Sequence, residues 1–402
     1  MTMPLEGVRI LELTSVLGGP LAGRLLADLG ADVLKIEQPG DGDAARKLGP
    51  YFLNGESAYF LGFNRNKRSV ALNLRADQGR EAFYTLVEKS DVVLDNFRPG
   101  VLERLRIDHE TLKARNPRII SASLSGFGQD GPYAARPAFD GVVQALGGAM
   151  SVTGRPGEDP VYMGFPMGDV GGGWGLAFGV LAALYERAHT GQGKRVDVSM
   201  LDMQVSFQAH LGAFYLASGE VPDPIGSGHP SNIPAKAFRA GDGRWVQVHC
   251  STEPFWFKTA DMIAAVVPGF EDLPHDPRFK TADARIAHRS ELEGLLAEAL
   301  AAKTRDEWTT LFVEWDVPGA PINSIAEVFR DPQVLHRNML VEIDHPAAGR
   351  IKTAGNPIKT GHGEQFAPPP LLGQHTREVL ASIAGYSDAQ LDVMQAAGVI
   401  QA

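Results

Sequence analysis

Short apolar runs alternate with helical ones along the first 125 residues. Residues 8–13 form an apolar run containing β-branched side chains, and 32–37 form a second. Between them, 20–29 carry apolar positions at helical spacing with Pro20 at the start, so the chain opens as strand, helix, strand. The pattern continues with strands at 69–74, 91–95 and 119–124 and helices at 78–89 and 109–115. Repeated alternation of this kind predicts an α/β fold with a parallel sheet, covering helices and ligands beyond the carboxyl ends of the strands. Residues 170–187 then read as one long helix rich in Gly and Ala, small enough to pack closely on its neighbours.

The character changes at 222–234, where Pro, Gly and Ser accumulate as in a connector. Beyond it a strand at 245–248 and helices at 255–267 and 290–302 suffice for a second, smaller domain. The tail holds a strand near 339–343, a Pro-rich extended segment at 367–370 and a helix at 376–383. The expected division is therefore 1–221, a small domain over 222–321, and 322–402.

Composition narrows the ligand. The 402 residues are 44% hydrophobic and 21% charged, enough for a sizeable core, and the net charge of −10 gives no overall attraction for nucleic acid. An anionic ligand must then be held by local cations, and a small-molecule site is expected. The opening Met-Thr-Met-Pro-Leu-Glu-Gly lacks a basic segment followed by an apolar run, and no uninterrupted apolar stretch looks long enough for a bilayer. A cytoplasmic protein without membrane contact is the expectation. The single cysteine, Cys250, excludes an internal disulfide, and none of the 11 histidines shows metal-ligand spacing.

Several motifs dissolve on inspection. Gly126-Phe127-Gly128-Gln129-Asp130-Gly131 has the spacing of a dinucleotide loop, but Pro132 and Pro137 follow where the helix should open, so it reads as a plain loop. Gly191-Gln192-Gly193-Lys194-Arg195 lacks the hydroxyl that a phosphate loop places after its Lys and reads as a turn before a strand at 195–198. His249 and Cys250 are neighbours on a strand and point to opposite faces, which favours a buried, inert thiol.

Asp169 carries the strongest chemical reading. It stands at the entrance of the long helix and is followed at once by Val170 and three glycines, Gly171 to Gly173. An Asp there is commonly an N-cap. Glycines, however, cost helix stability. They are expected to clear side chains from around the carboxylate and to leave amides free for an oxyanion, while the helix dipole keeps Asp169 ionised and nucleophilic.

Motifs in order along the chain then resemble the class III CoA-transferases, the family of formyl-CoA transferase, carnitine CoA-transferase and α-methylacyl-CoA racemase. They are Leu25-Leu26-Ala27-Asp28-Leu29-Gly30-Ala31-Asp32-Val33-Leu34-Lys35-Ile36-Glu37, Asn64-Arg65-Asn66-Lys67-Arg68-Ser69, Asn96-Phe97-Arg98-Pro99-Gly100, Ser125-Gly126-Phe127-Gly128, Gly168-Asp169, Gly193 to Ser199, and Leu371-Leu372-Gly373-Gln374-His375-Thr376. The resemblance spans essentially the whole chain. It implies a Rossmann-like large domain built from both ends of the chain, an inserted smaller α+β domain, and an interlocked homodimer. It places coenzyme A near Val16, Leu72, Arg75, Asn96, Phe97, Arg98, Arg104 and Met200. Arg98 and Arg104 suit phosphate oxygens, since a guanidinium offers paired donors, and Gln38 stands where many members carry a basic residue near the adenine.

The implied reaction needs no metal and no redox cofactor. Asp169 attacks an acyl-CoA thioester to give a mixed anhydride, the thiolate returns to form an aspartyl-CoA thioester, and an incoming carboxylic acid runs the sequence in reverse. The racemase branch is the alternative, but it uses a His directly before an Asp in the segment after the Gly-Phe-Gly loop. Here Phe139 precedes Asp140, and a phenyl ring accepts no proton. Leu17 in place of a Gln, and the lack of a glycine-rich loop at 249–254, argue against formate or oxalate. Arg239, Arg244 and His249 offer cations for a second carboxylate, pointing to a dicarboxylic acid such as succinate, mesaconate, itaconate or glutarate; a plain surface role for them and carnitine-like substrates stay open.

Overall fold

A computed structural model describes residues 3–361 and 364–402; Met1 and Thr2 of the opening stretch lie outside it. The chain divides into two compact units, one comprising Met1–Ser151, Tyr162–Val221 and Gln333–Ala402, the other Val152–Val161 and Pro222–Pro332.

In the first unit, seven strands form one sheet. They are β1 (Arg9–Glu12), β2 (Asp32–Glu37), β3 (Lys67–Leu72), β4 (Val92–Asp95), β5 (Ile120–Ser125), β6 (Arg195–Ser199) and β7 (Ile400–Gln401), in the order β7-β3-β2-β1-β4-β5-β6. All pairings are parallel except β7, which runs antiparallel to β3. Central strands are apolar on both faces, as a sheet covered by helices requires. Leu11 and Val93 join the core on one side, while Ile10, Val92 and Leu94 join the core on the other. Chain order reverses between β1 and β4, so the loops leaving these two strands diverge and open a crevice at their carboxyl ends.

Four helices frame that crevice: α1 (Gly18–Asp28), α2 (Asp140–Leu146), α3 (Met167–Thr190) and α4 (Met200–Phe207). Leu176, Val180, Ala183 and Arg187 form the buried stripe of α3, with Arg187 paired to Asp91 at 2.8 Å. By length and composition α3 is apolar enough to cross a membrane, contrary to the expectation that no such stretch exists, and 44% of its most apolar window is buried within the fold. It carries a second apolar stripe, Trp174, Phe178 and Tyr185, that faces outward.

The second unit is α+β. Ala235–Arg239, Trp245–His249 and Gly319–Pro321 make an antiparallel sheet, with Asp242 and Gly243 turning the first hairpin. Helices Glu253–Val266, Arg289–Leu300 and Arg305–Glu314 enclose a core that includes Trp256, Phe279, Trp308 and Phe312.

Candidate active site

The crevice between β1 and β4 is bridged by two hydrogen bonds. The Ser15 N–H donates to Asn96 Oδ1 and Asn96 Nδ2 donates to the Ser15 carbonyl, both at 2.9 Å. Beside this clasp lies a cavity of about 230 Å³ lined by Val16, Asn96, Phe97, Arg98, Phe139, Asp169 and Met200 among others. A larger cavity of about 830 Å³ opens over the ends of β2 and β3 and is lined by Leu72, Arg75, Phe97, Arg104 and Gln38. Phe97 belongs to both. All nine residues singled out in the sequence therefore line one or other cavity, and Gln38 joins Arg75 and Arg104. The side chains of Arg75, Arg98 and Arg104 form no ion pair among the described residues, so their donors are free for an anion.

Asp169 sits in the first turn of α3, as its third residue. Pro166 occupies the N-cap position, so Asp169 is not the cap. That role falls to Asp140 at the start of α2: Asp140 Oδ1 accepts the N–H groups of Gly168 and Asp169 at 2.6 and 3.2 Å. Its other oxygen accepts from Gln144 Nε2 at 2.8 Å and from the Tyr162 hydroxyl. Gln144 in turn accepts the Met163 N–H at 3.0 Å, fixing the strand of loop that leads into α3.

Burial and the negative charge of Asp140 push the Asp169 carboxyl up to about 6, while the nearby Gly18 backbone N–H favours the charged form. Asp169 remains ionised at neutral pH and is more basic than an ordinary aspartate. Tyr59 shares the same field: burial, Asp169, Asp43 and Asp140 push its hydroxyl up to about 12.

Gly171, Gly172 and Gly173 serve packing rather than clearance. A Cβ on Gly171 would fall 2.2 Å from the Phe207 ring, on Gly172 2.8 Å from Leu124, and on Gly173 2.5 Å from the Gly18 carbonyl. Their amides lie past the first turn and belong to the helix's own ladder, so they are not oxyanion donors. Gly173 lets α1 approach α3 until Gly18 reaches Asp169, while Gly171 and Gly172 admit Phe207 of α4 and Leu124 of β5.

Other candidates fall away. Cys250 is buried, with its thiol pushed up to about 11 by burial, and the Gly126 to Gly131 segment is an irregular loop. In the second unit Arg244 spends its donors on Asp242 and Asp306, both at 2.8 Å, and Arg239 Nε donates to the Gly243 carbonyl. Among the described residues no group of three His, Cys, Asp or Glu side chains is placed to hold a metal ion. Asp140, Gln144, Tyr162, Tyr59 and Asp43 were not legible as site residues; only the Asp140 to Gln144 spacing, one helical turn, signals a shared face.

An Asp in a glycine-packed turn, beside two cavities lined by unpaired arginines, agrees with the profile that matches residues 5–376, that of CoA-transferase family III. The chain belongs to CoA-transferase family III. It is 36% identical over 400 residues to the succinyl-CoA:glutarate CoA-transferase of Mus musculus, covering 99% of this chain and 90% of that one. It is likewise 36% identical to the formyl-CoA:oxalate CoA-transferase of Bradyrhizobium sp., covering 100% and 98%. Among solved structures, a CAIB/BAIF family protein from Brucella suis superposes with a TM-score of 0.84 at 34% identity, over 95% of this chain and all of that one. As a family III member the protein is a CoA-transferase, and its substrates include a CoA thioester.

Proposed function

We propose that the enzyme moves CoA from a succinyl-CoA-like thioester to a dicarboxylic acid, with Asp169 as the carboxylate that is acylated. The observation that carries this is the placing of Asp169, ionised and unusually basic, in a cavity it shares with Arg98 and Met200 and next to the larger cavity of Arg75 and Arg104. The thioester carbonyl would meet Asp169 in the small cavity while the nucleotide phosphates lie against Arg75 and Arg104. Attack by a carboxylate oxygen expels the CoA thiolate and leaves a mixed anhydride. The thiolate then attacks the aspartyl carbonyl and releases the first acid; the incoming carboxylate attacks the resulting aspartyl-CoA thioester and expels the thiolate as a second anhydride forms, and the thiolate attacks the new acyl carbonyl to give the product CoA ester and free Asp169. Two exchanges at one side chain replace a direct exchange between two bulky substrates.

A dicarboxylate is supported by relatives named for glutarate, oxalate and mesaconate. The racemase alternative lacks its second base, because Phe139 stands in the wall of the Asp169 cavity. We also assign the working form as a homodimer. The outward stripe Trp174, Phe178 and Tyr185, with Phe214, Tyr215 and Leu216 on the helix Ala209–Ser218, is too apolar a surface for a solitary subunit. Incubating the protein with succinyl-CoA and a panel of free acids, followed by mass spectrometry of the CoA esters, tests the assignment. New esters with the native enzyme and none with Asp169→Ala are expected. Exchange of an α-proton without any new ester would move the function to the racemase branch.

A further inference from the structure

Val16 is a β-branched residue held at φ +70°, a left-handed conformation that such side chains rarely adopt and that costs free energy unless the surroundings enforce it. It lies in the loop between β1 and α1, two residues before Gly18, which is packed against Asp169 so closely that a Cβ there would stand 3.2 Å from Asp169 Oδ1, and whose N–H favours the charged carboxylate. Three side chains grip this loop. Asn96 holds Ser15 from both sides, as described above. Lys35 Nζ, reaching from β2, donates to the Thr14 carbonyl at 2.9 Å. Asp43 Oδ1 accepts the Val16 N–H at 3.1 Å.

Asp43 and Lys35 are themselves joined at 2.8 Å with almost no exposure of either side chain. Lys35 also meets Glu12 at 3.0 Å, and Glu12 meets Lys67 at 2.8 Å, so the loop rests on a buried chain of alternating charges. Burying these groups is costly, and nothing in the transfer chemistry uses them. Burial alone would raise the Asp43 carboxyl, but Lys35 together with the Ala45 and Val16 N–H groups holds it below the usual carboxylate range. Three groups thus converge on its two oxygens: the Lys35 ammonium, paired with one at 2.8 Å, and the Val16 and Ala45 N–H groups, which donate to the other.

We propose that Asp43, held by Lys35, is a positioning residue that fixes Val16 in the left-handed region and so aims the Gly18 amide at the Asp169 carboxylate. The proposal rests on the reading of Asp169 as the acylated group. It explains why a strained residue and a buried ion chain occur together at the wall of the active cavity. Val16 turns the chain sharply enough that α1 begins with its amide on Asp169, and Asp43 supplies the bond that makes this turn the stable one.

The test uses Asp43→Asn in the full-length enzyme. An amide has one oxygen and two N–H donors, so in either orientation it presents an NH2 to a donor and cannot satisfy the three groups around it. We expect kcat to fall at least tenfold while KM for the acyl-CoA changes less than threefold. The acid limb of the pH profile should move to higher pH, because the Gly18 N–H that favours the charged form of Asp169 is drawn away while Asp140, Tyr59 and Tyr162 still face it. In the Val16→Gly background, where φ +70° carries no strain, the same Asp43→Asn change should cost several-fold less. If Asp43→Asn does not fold, Asp43→Glu keeps a carboxylate for Lys35 but displaces the acceptor from Val16, and the same loss of kcat and shift of the limb are expected. A folded Asp43 variant with native kcat and an unmoved limb would overturn the proposal, as would equal losses in the Val16 and Val16→Gly backgrounds. Retained transfer in Asp169→Ala would instead overturn the underlying reading, so the two failures are distinct.

Discussion

Asp140 caps the helix that carries Asp169: one of its oxygens holds the Gly168 and Asp169 N–H groups at 2.6 and 3.2 Å, and its charge raises the basicity of the residue it positions. On the proposed mechanism, two carboxylates so placed have separate tasks, one structural and one chemical. In Asp140→Asn the amide oxygen can still accept both N–H groups, but the neighbouring charge is gone. The acid limb of kcat/KM, expected near pH 6 in the native enzyme, should then move down toward the ordinary carboxylate range. A limb that stays in place would show that Asp169 does not govern it.

Raised basicity also has a consequence for stability. A carboxyl that titrates near 6 in the folded protein binds its proton more tightly there than in the unfolded chain. Its contribution is therefore greatest below the unfolded carboxylate range and is lost as pH rises through about 6. Asp169→Asn should abolish transfer yet melt higher than the native protein at pH 7.5, by on the order of 1 kcal/mol after solvent screening. Below pH 4 the difference should vanish. Thermal melts of both proteins across this range check the sign.

Among the described residues Arg75 and Arg104 have no carboxylate partner and face the larger cavity, so their removal should weaken binding of the CoA portion and leave the chemistry intact. Each Arg→Ala change is expected to raise KM for the acyl-CoA about tenfold or more with kcat nearly unchanged, the worth of a charge-assisted contact. Added salt should depress the native enzyme's affinity more than that of the variants.

Gly173→Ala sets helix propensity against packing. In an exposed helix Ala is better than Gly by about 1 kcal/mol. Here the new Cβ would stand 2.5 Å from the Gly18 carbonyl, a backbone atom that cannot turn away. The variant should lose both thermal stability and activity, since α1 must retreat and carry the Gly18 amide from Asp169. A more stable, fully active variant would refute the account of the glycines.

The strands of the large sheet were legible because buried parallel strands are short, almost wholly apolar and separated by helices: 32–37 matched Asp32–Glu37, and the others fell within about two residues. The sheet's last strand, Ile400–Gln401, is two residues long and carries no period to detect. The helices Ala209–Ser218 and Met200–Phe207 escaped notice because they are apolar around much of their circumference, with exposed Val205, Phe214 and Leu216 blurring the pattern. Asp169 could be picked out from its glycine setting, although the glycines act by packing. Its supports could not: Asp140, Tyr162 and Asp43 lie 29, 7 and 126 residues away in the chain, and only the fold brings them to Asp169 or the wall of its cavity.

Acylation of Asp169 itself is tested most directly by trapping. The enzyme is incubated with succinyl-CoA, quenched with hydroxylamine, digested and mapped by mass spectrometry. A hydroxamate on Asp169, formed only when the thioester is present, is the predicted result. An unmodified Asp169 in enzyme that is turning over, or a hydroxamate on another carboxylate, would contradict it.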